Sequence, residues 1–270
     1  MKKLSELSYK ERERLFRKLR ISFTYHSSAI EGTTLTLAET EELLEKGYTA
    51  GGKPLWEQLV ILGHAKAYDM VIREASNPNR ILDIEFIKDL HAILFEDALR
   101  ITYEFVEKPV GAFRTDYRKI KGVDITLTPP YLIAQEMENL LYRFKSNDMS
   151  MKDIAEFHIS FERIHPFADG NGRVGRLLIA YQTIQNDIIP PLILNEDRRE
   201  YLDALNDVDN LASFLEKGSE KSLRLARNIQ ENVNEYEVEK ETPILSKKEN
   251  PHVEEKSKEN KVDNDDMPGF

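Results

Sequence analysis

Apolar positions recur at helical spacing along almost the whole chain. Ser8-Tyr-Lys-Glu11 has the form of a capping box and opens a segment with Phe16, Leu19, Phe23 and Ile30 on one stripe, stopping at Gly32. Thr36-Leu-Ala-Glu39 is a second capping box, and its short helix ends near Gly47. The span 56–75 carries Leu59, Leu62, Ala65, Tyr68 and Ile72 in register until Asn77-Pro-Asn79 breaks it. Asp83 begins a helix through Ile87, Leu90, His91 and Leu94. Between 106 and 131 the pattern changes. Pro109, Gly111, Gly122, Pro129 and Pro130 punctuate it, and Ile120, Val123, Ile125 and Leu127 alternate with polar residues, which predicts a short β-hairpin or extended loop.

Helical spacing returns over 133–144 and again over 151–164, where Ile154, Phe157, Phe161 and Ile164 share a face. After a glycine-containing loop another helix carries Val174, Leu177, Leu178 and Tyr181, and Pro190-Pro191 closes that unit. Two or three more helices follow, the last with Leu225, Ile229, Val233 and Tyr236. From Glu239 on, Lys, Glu, Asp and Asn dominate. Such a segment buries too little apolar surface to offset its ordering entropy, so a disordered tail is expected over 239–270. The fold class implied is all-α, a helical bundle with one short β-hairpin. Its expected divisions are N-terminal helices (1–54), a core (55–210), a helical extension (211–238) and the tail.

Composition narrows the function. With 40% hydrophobic and 32% charged residues, the 270-residue chain is of ordinary globular make-up. No apolar run reaches the roughly 20 residues that span a bilayer, and no long apolar stretch follows the two N-terminal lysines. The absence of cysteine excludes disulfides, thiolate metal sites and a cysteine nucleophile, and a cytoplasmic protein is the simplest reading. A net charge of −10 argues against nucleic acid as a partner, although the sum includes the acidic tail and leaves room for a local basic pocket.

The chemistry concentrates in His165-Pro-Phe-Ala-Asp-Gly-Asn-Gly-Arg-Val-Gly-Arg176. Gly170 and Gly172 let the backbone turn sharply and approach a ligand. A helix starting there points unpaired N–H groups and its positive dipole end into the loop, an arrangement suited to phosphate. Arg173 and Arg176, three apart, lie on one side of that helix and can clamp a polyphosphate. Asp169 offers one carboxylate to Mg²⁺, which commonly takes one or two carboxylates plus substrate phosphates. His165 can accept a proton from an attacking hydroxyl. Taken singly these residues describe a helix end, a turn and a solvated helix face. Gathered within twelve positions they make up the parts of phosphoryl-type transfer.

The same twelve residues resemble the signature of the Fic family, His-x-Phe-x-(Asp/Glu)-Gly-Asn-Gly-Arg-x-x-Arg, at every specified position. The resemblance implies an all-α Fic core over 55–210 and transfer of AMP from ATP to a Ser, Thr or Tyr hydroxyl of a target protein, with Mg²⁺. It makes His165 the base, Asp169 the metal ligand and Phe167 the packing under the loop. Gly170, Asn171, Gly172 and Arg173 would cradle the α- and β-phosphates, and Arg176 the γ-phosphate. The family's flap, which aligns the target by strand addition, falls by position on Ile120, Lys121, Gly122, Val123, Asp124 and Ile125, after Gly111-Ala-Phe-Arg114.

Ser27-Ser-Ala-Ile-Glu31-Gly32 resembles the family's inhibitory motif (Ser/Thr)-x-x-x-Glu-(Gly/Asn). The implication is that Glu31, one turn from Ser27 on the same face, pairs with Arg176 and blocks productive ATP binding. Read as residues alone, the segment is also a routine helix end closed by Gly32. By the same analogy Tyr201 lines an adenine pocket, with core packing as the other reading, and a homodimer buries the inhibitory helix. His91 and His158 read as hydrogen-bonded packing residues. The alternatives are a hydrolase removing AMP, another phosphoryl-type transferase at the same site, or a non-catalytic nucleotide-binding regulator.

Overall fold

The helices predicted by periodicity form, and capping side chains fix the starts of four of them. In the computed structural model, which describes residues 3–102, 106–119, 126–145 and 148–240 with side chains through 226, α1 spans Tyr9–Ile30 and α2 Leu37–Lys46. Ser8–Glu11 and Thr36–Glu39 both close reciprocal capping boxes. Next come α3 (Leu55–Ala75) and α4 (Ile84–Ile101), the latter capped by the Asp83 side chain on the Phe86 N–H. Then follow α5 (Ile133–Arg143), α6 (Met151–Ile164) and α7 (Asn171–Gln185). The chain continues through α8 (Arg198–Ala204) into α9 (Val208–Lys240).

Two units emerge. The first, Met1–Glu231, holds α1 to α8 and most of α9. Of the second, Asn232–Phe270, the described part is 232–240, the end of α9, so helix continues two residues into the stretch read as tail. Within the first unit α3 lies at the centre, packed on α4, α7, α1 and α2, and α7 in turn packs on α6. This explains a shift from the predicted stripe. Val60, Ile61, Ala67 and Val71 are buried alongside Ala65 and Tyr68, whereas Leu59, Leu62 and Ile72 are half-buried. A helix covered on several sides has no single apolar face for periodicity to find. The middle helix α7 shows the same thing, with thirteen of its residues buried, Arg173 and Arg176 among them.

Among the described residues no strand forms beyond one isolated bridge, Lys3 to Ile188. The hairpin residues Ile120 to Ile125 and the tail 241–270 lie outside the described residues. The flanking stretches 106–119 and 126–129 are irregular and lie against α4 and the end of α6 through His91, Arg114 and Thr128. No described helix is long and apolar enough to cross a membrane.

Candidate active site

α6 cannot continue through Pro166, because the ring lacks an N–H and disfavours helix in the residue before it. His165 therefore takes the left-handed conformation, with φ 50°, and its N–H closes onto Phe161 O at 2.9 Å. A non-glycine residue held there is strained, and surrounding contacts must hold it. Arg114 supplies them. Fully buried, it donates from Nε to the His165 carbonyl (2.7 Å), from Nη1 to Asp116 O (2.5 Å) and from Nη2 to Thr128 O (2.6 Å), while its own N–H bonds Pro166 O at 2.9 Å. One guanidinium thus ties both ends of the 106–131 segment to the histidine turn.

Inside the loop Phe167 is wholly buried and stacks on His91, centroids 4.0 Å apart and planes 8° from parallel. The Gly111 N–H donates to His91 Nδ1 (2.9 Å), which leaves the ring hydrogen on Nε2 to reach Asp169 O at 3.1 Å. Burial pushes the His91 pKa down to about 4, so the ring is neutral. The Asn171 amide brackets the Phe167 peptide, accepting from its N–H at 2.9 Å and donating to its carbonyl at 2.8 Å. The side chain that the motif assigns to a phosphate cradle is thereby committed to the loop, and Asn171 presents only its backbone to a ligand.

Gly170, at φ 79°, begins α7, and the first N–H groups of that helix face the loop mouth. A carboxylate is already seated there. Glu31, at the end of α1, reaches across so closely that a Cβ on Gly172 would collide with Glu31 Oε1. Arg176 donates from Nη2 to Glu31 Oε1 (2.7 Å) and to Ser27 O (2.7 Å), and from Nε to Ser27 Oγ (3.0 Å). A negative charge at the end of α1 opposes that helix's dipole but complements the start of α7. Burial works to raise the Glu31 carboxyl. The Arg176 and Arg173 guanidiniums outweigh it and hold the group below its ordinary range. The last turn of α1 is fastened from a second side, with Arg198 Nε on Ile30 O (2.8 Å) and the Asn195 N–H on His26 Nδ1 (3.1 Å).

Asp169 is half-exposed at the mouth. Arg173 Nη2 donates to both its oxygens at 3.0 Å, and the Gly170 N–H to Oδ1 at 2.6 Å. Arg173 also lies over the Phe95 ring, 4.8 Å from its centroid. His165 is half-buried, with Nδ1 3.3 Å from the Glu162 carbonyl. A carbonyl only accepts, so Nδ1 carries the hydrogen and Nε2 keeps a lone pair. Burial lowers the His165 pKa below its ordinary value, which keeps the ring in that neutral form.

Tyr201 is buried at 1% exposure, packed on Phe214, with its hydroxyl 2.7 Å from His158 Nε2 and its ring 5.8 Å from the Arg176 guanidinium carbon. It backs Arg176 from the core. Sequence reasoning gave no task to Arg114, and its loop-bound partners are backbone carbonyls, which leave no residue signature. His91 was read as packing, and the structure adds its bond to Asp169.

A short glycine-bearing loop between two helices, with an arginine of the second helix holding a carboxylate at its mouth, defines the site. Residues 81–183 match the model of the Fic/DOC family. The Protein adenylyltransferase Fic of Drosophila grimshawi is 30% identical over 213 residues, 74% of this chain and 41% of that protein. Protein adenylyltransferase fic-1 of Caenorhabditis briggsae is 28% identical over 224 residues, 78% of this chain and 42% of its own length. The chain therefore spans about two fifths of these relatives. The fold matches a Fic domain containing signaling protein from Bacteroides thetaiotaomicron, with TM-score 0.70, 24% identity and coverage of 83% and 92% of the two chains.

Proposed function

We propose that the chain transfers AMP from ATP to a Ser, Thr or Tyr hydroxyl of a target protein, and that Glu31 holds the site shut. One observation carries this reading: a carboxylate bound by Arg176 over Gly172 sits where the motif calls for phosphate. The names of the relatives supply the donor and reaction class.

In this reading Glu31 swings out and the triphosphate takes its place on Arg176 and the α7 N-terminus. His165 Nε2 removes the acceptor's proton as its oxygen bonds the α-phosphorus. The bond from that phosphorus to the bridging oxygen breaks, and pyrophosphate leaves. Arg173 and the α7 N–H groups neutralise the charge that develops.

Among the described residues no cluster of three or more His, Asp or Glu could cage a metal. A half-exposed single carboxylate fits Mg²⁺, which completes its shell with phosphates and waters. Asp169 would hold it, and Arg173 would share that carboxylate. Bound Mg²⁺ would supply charge neutralisation on the phosphates.

Intact-mass spectrometry of the Glu31→Gly protein after ATP and Mg²⁺, alone and with candidate targets, tests the reading. A gain of one AMP unit is expected. A gain of phosphate alone, or loss of AMP from a pre-modified target that depends on Glu31, would replace it with one of the alternative reactions.

A further inference from the structure

His91 stands on α4, away from the motif at 165–176, and both of its ring nitrogens are bonded. The Gly111 N–H donates to Nδ1 at 2.9 Å, and Nε2 reaches the Asp169 carbonyl at 3.1 Å. Gly111 comes this close because it has no side chain. Its φ is 70°, and a Cβ there would stand 3.0 Å from Ala92 Cβ. With Nδ1 accepting, the ring hydrogen sits on Nε2, so the contact with Asp169 is a donation. The segment 106–119 therefore sets the tautomer with which α4 meets the loop.

The carbonyl that His91 holds belongs to the peptide joining Asp169 to Gly170. The N–H of that same peptide donates to Asp169 Oδ1 at 2.6 Å. A peptide is planar, so fixing its carbonyl fixes the direction of its N–H. A donor on the carbonyl also polarises the amide and strengthens its N–H bond to the carboxylate. The other hold on the carboxylate is Arg173, which lies over Phe95, one turn along α4 from His91. Phe95 also occupies the space beside Gly170, where a Cβ would come within 2.6 Å of its ring. One face of α4 thus supports both grips on Asp169.

We infer that His91 is a positioning residue for the metal carboxylate: it locks the Asp169–Gly170 peptide, and the Gly111 N–H sets the tautomer that does so. The inference rests on the reading that Asp169 holds Mg²⁺ beneath the nucleotide. Under that reading Arg173 also meets phosphate charge, so the Gly170 N–H is the hold that Asp169 keeps throughout. His91 acts only through Asp169. The segment 106–119 must be seated on α4 for the carboxylate to be aimed.

Two substitutions separate the ring nitrogens. His91→Asn places an amide oxygen near Nδ1, still able to accept from Gly111, and removes the donor to Asp169 O. His91→Gln places an amide nitrogen near Nε2, still able to donate to Asp169 O, and removes the acceptor for Gly111. Both lose the ring stacked on Phe167, so a role in packing alone predicts equal effects. The probe is Mn²⁺, titrated by electron paramagnetic resonance into Glu31→Gly protein saturated with an ATP analogue blocked at the α–β bridge. His91→Asn should weaken Mn²⁺ binding by about tenfold, while His91→Gln stays near the parent. Amide exchange at Gly111 should rise in His91→Gln and not in His91→Asn. Equal Mn²⁺ affinities in the two variants, or a larger loss in His91→Gln, overturn the proposal. Nitrogen-15 spectra of His91 in the unaltered protein need no substitution, and a hydrogen found on Nδ1 overturns it independently. Unchanged Mn²⁺ affinity in Asp169→Ala overturns instead the metal reading on which it rests.

Discussion

Arg176 and Glu31 lie 145 residues apart in sequence and meet at 2.7 Å, yet their exposures differ sharply: the guanidinium side chain is 2% exposed and the carboxylate 37%. The partner able to move is Glu31, which reaches in from a helix end with solvent on one side. Glu31→Gly deletes a charge-assisted bond worth about 1.5–3 kcal/mol, which corresponds to a roughly ten- to hundredfold rise in AMP incorporation if that bond is what ATP must displace. The same variant leaves Arg176 short of a partner, so its melting temperature should fall, and saturating MgATP should restore it by mass action. Labelled-ATP incorporation and thermal unfolding measure the two effects. A variant with neither change would show that the pair does not gate the site.

His165→Ala should lower transfer by about 10²–10⁴, the usual worth of a positioned general base, while leaving ATP-dependent stabilisation in place because the anion seat lies on α7. The pH dependence has a definite sign. Burial depresses the His165 pKa, so the base stays unprotonated at neutral pH and the acid limb of kcat should fall below pH 6.5. A kcat profile in the Glu31→Gly background measures this. An acid limb above 6.5 would exclude His165 as the group titrating.

Arg114 reaches three carbonyls from both sides of the irregular segment and fixes the strained His165 turn. Lysine brings the charge but not the planar fork, so Arg114→Lys leaves two or more of these buried carbonyls without a donor. At about 1–3 kcal/mol for each unsatisfied group, stability should drop by about 2–5 kcal/mol in urea titration. kcat should fall further than the loss of folded protein accounts for, because the histidine carbonyl is released. An unchanged kcat per folded molecule would show that the turn holds its shape unaided.

Much of this was legible beforehand, for physical reasons that differ by element. Ser8, Thr36 and Asp83 announced their helices because capping is a local bond with a fixed sequence offset. The loop 165–176 could be read because turn, anion seat and clamp lie within one short span. The pairing of Glu31 with Arg176 came from resemblance alone, since periodicity places Glu31 at a helix end and no further. Arg114 and His91 could not be assigned their contacts, because they bond backbone atoms, which every residue carries. The committed side chain of Asn171 and the buried position of Tyr201 depend on which neighbours the fold brings in, as does the displaced face of α3.

Three buried histidines make the fold acid-sensitive. Burial is the first cause in each case, lowering His64 to about 3, His91 to about 4 and His158 to about 3. In the unfolded chain each titrates near 6.5. Between about pH 6 and 5 the unfolded state therefore binds up to three protons that the native state refuses, and stability falls with falling pH. Glu162 acts in the opposite sense: its folded midpoint of about 7 means the native state holds a proton that the unfolded carboxyl, near 4.3, has lost. The net excess of about two protons in the unfolded state gives a slope of about 3 kcal/mol per pH unit. Urea unfolding at pH 6 and pH 5 measures it, and Glu162→Gln should steepen the slope by about one proton, or about 1.4 kcal/mol per unit. A flat stability profile across that interval would mean that these imidazoles accept protons in the folded protein.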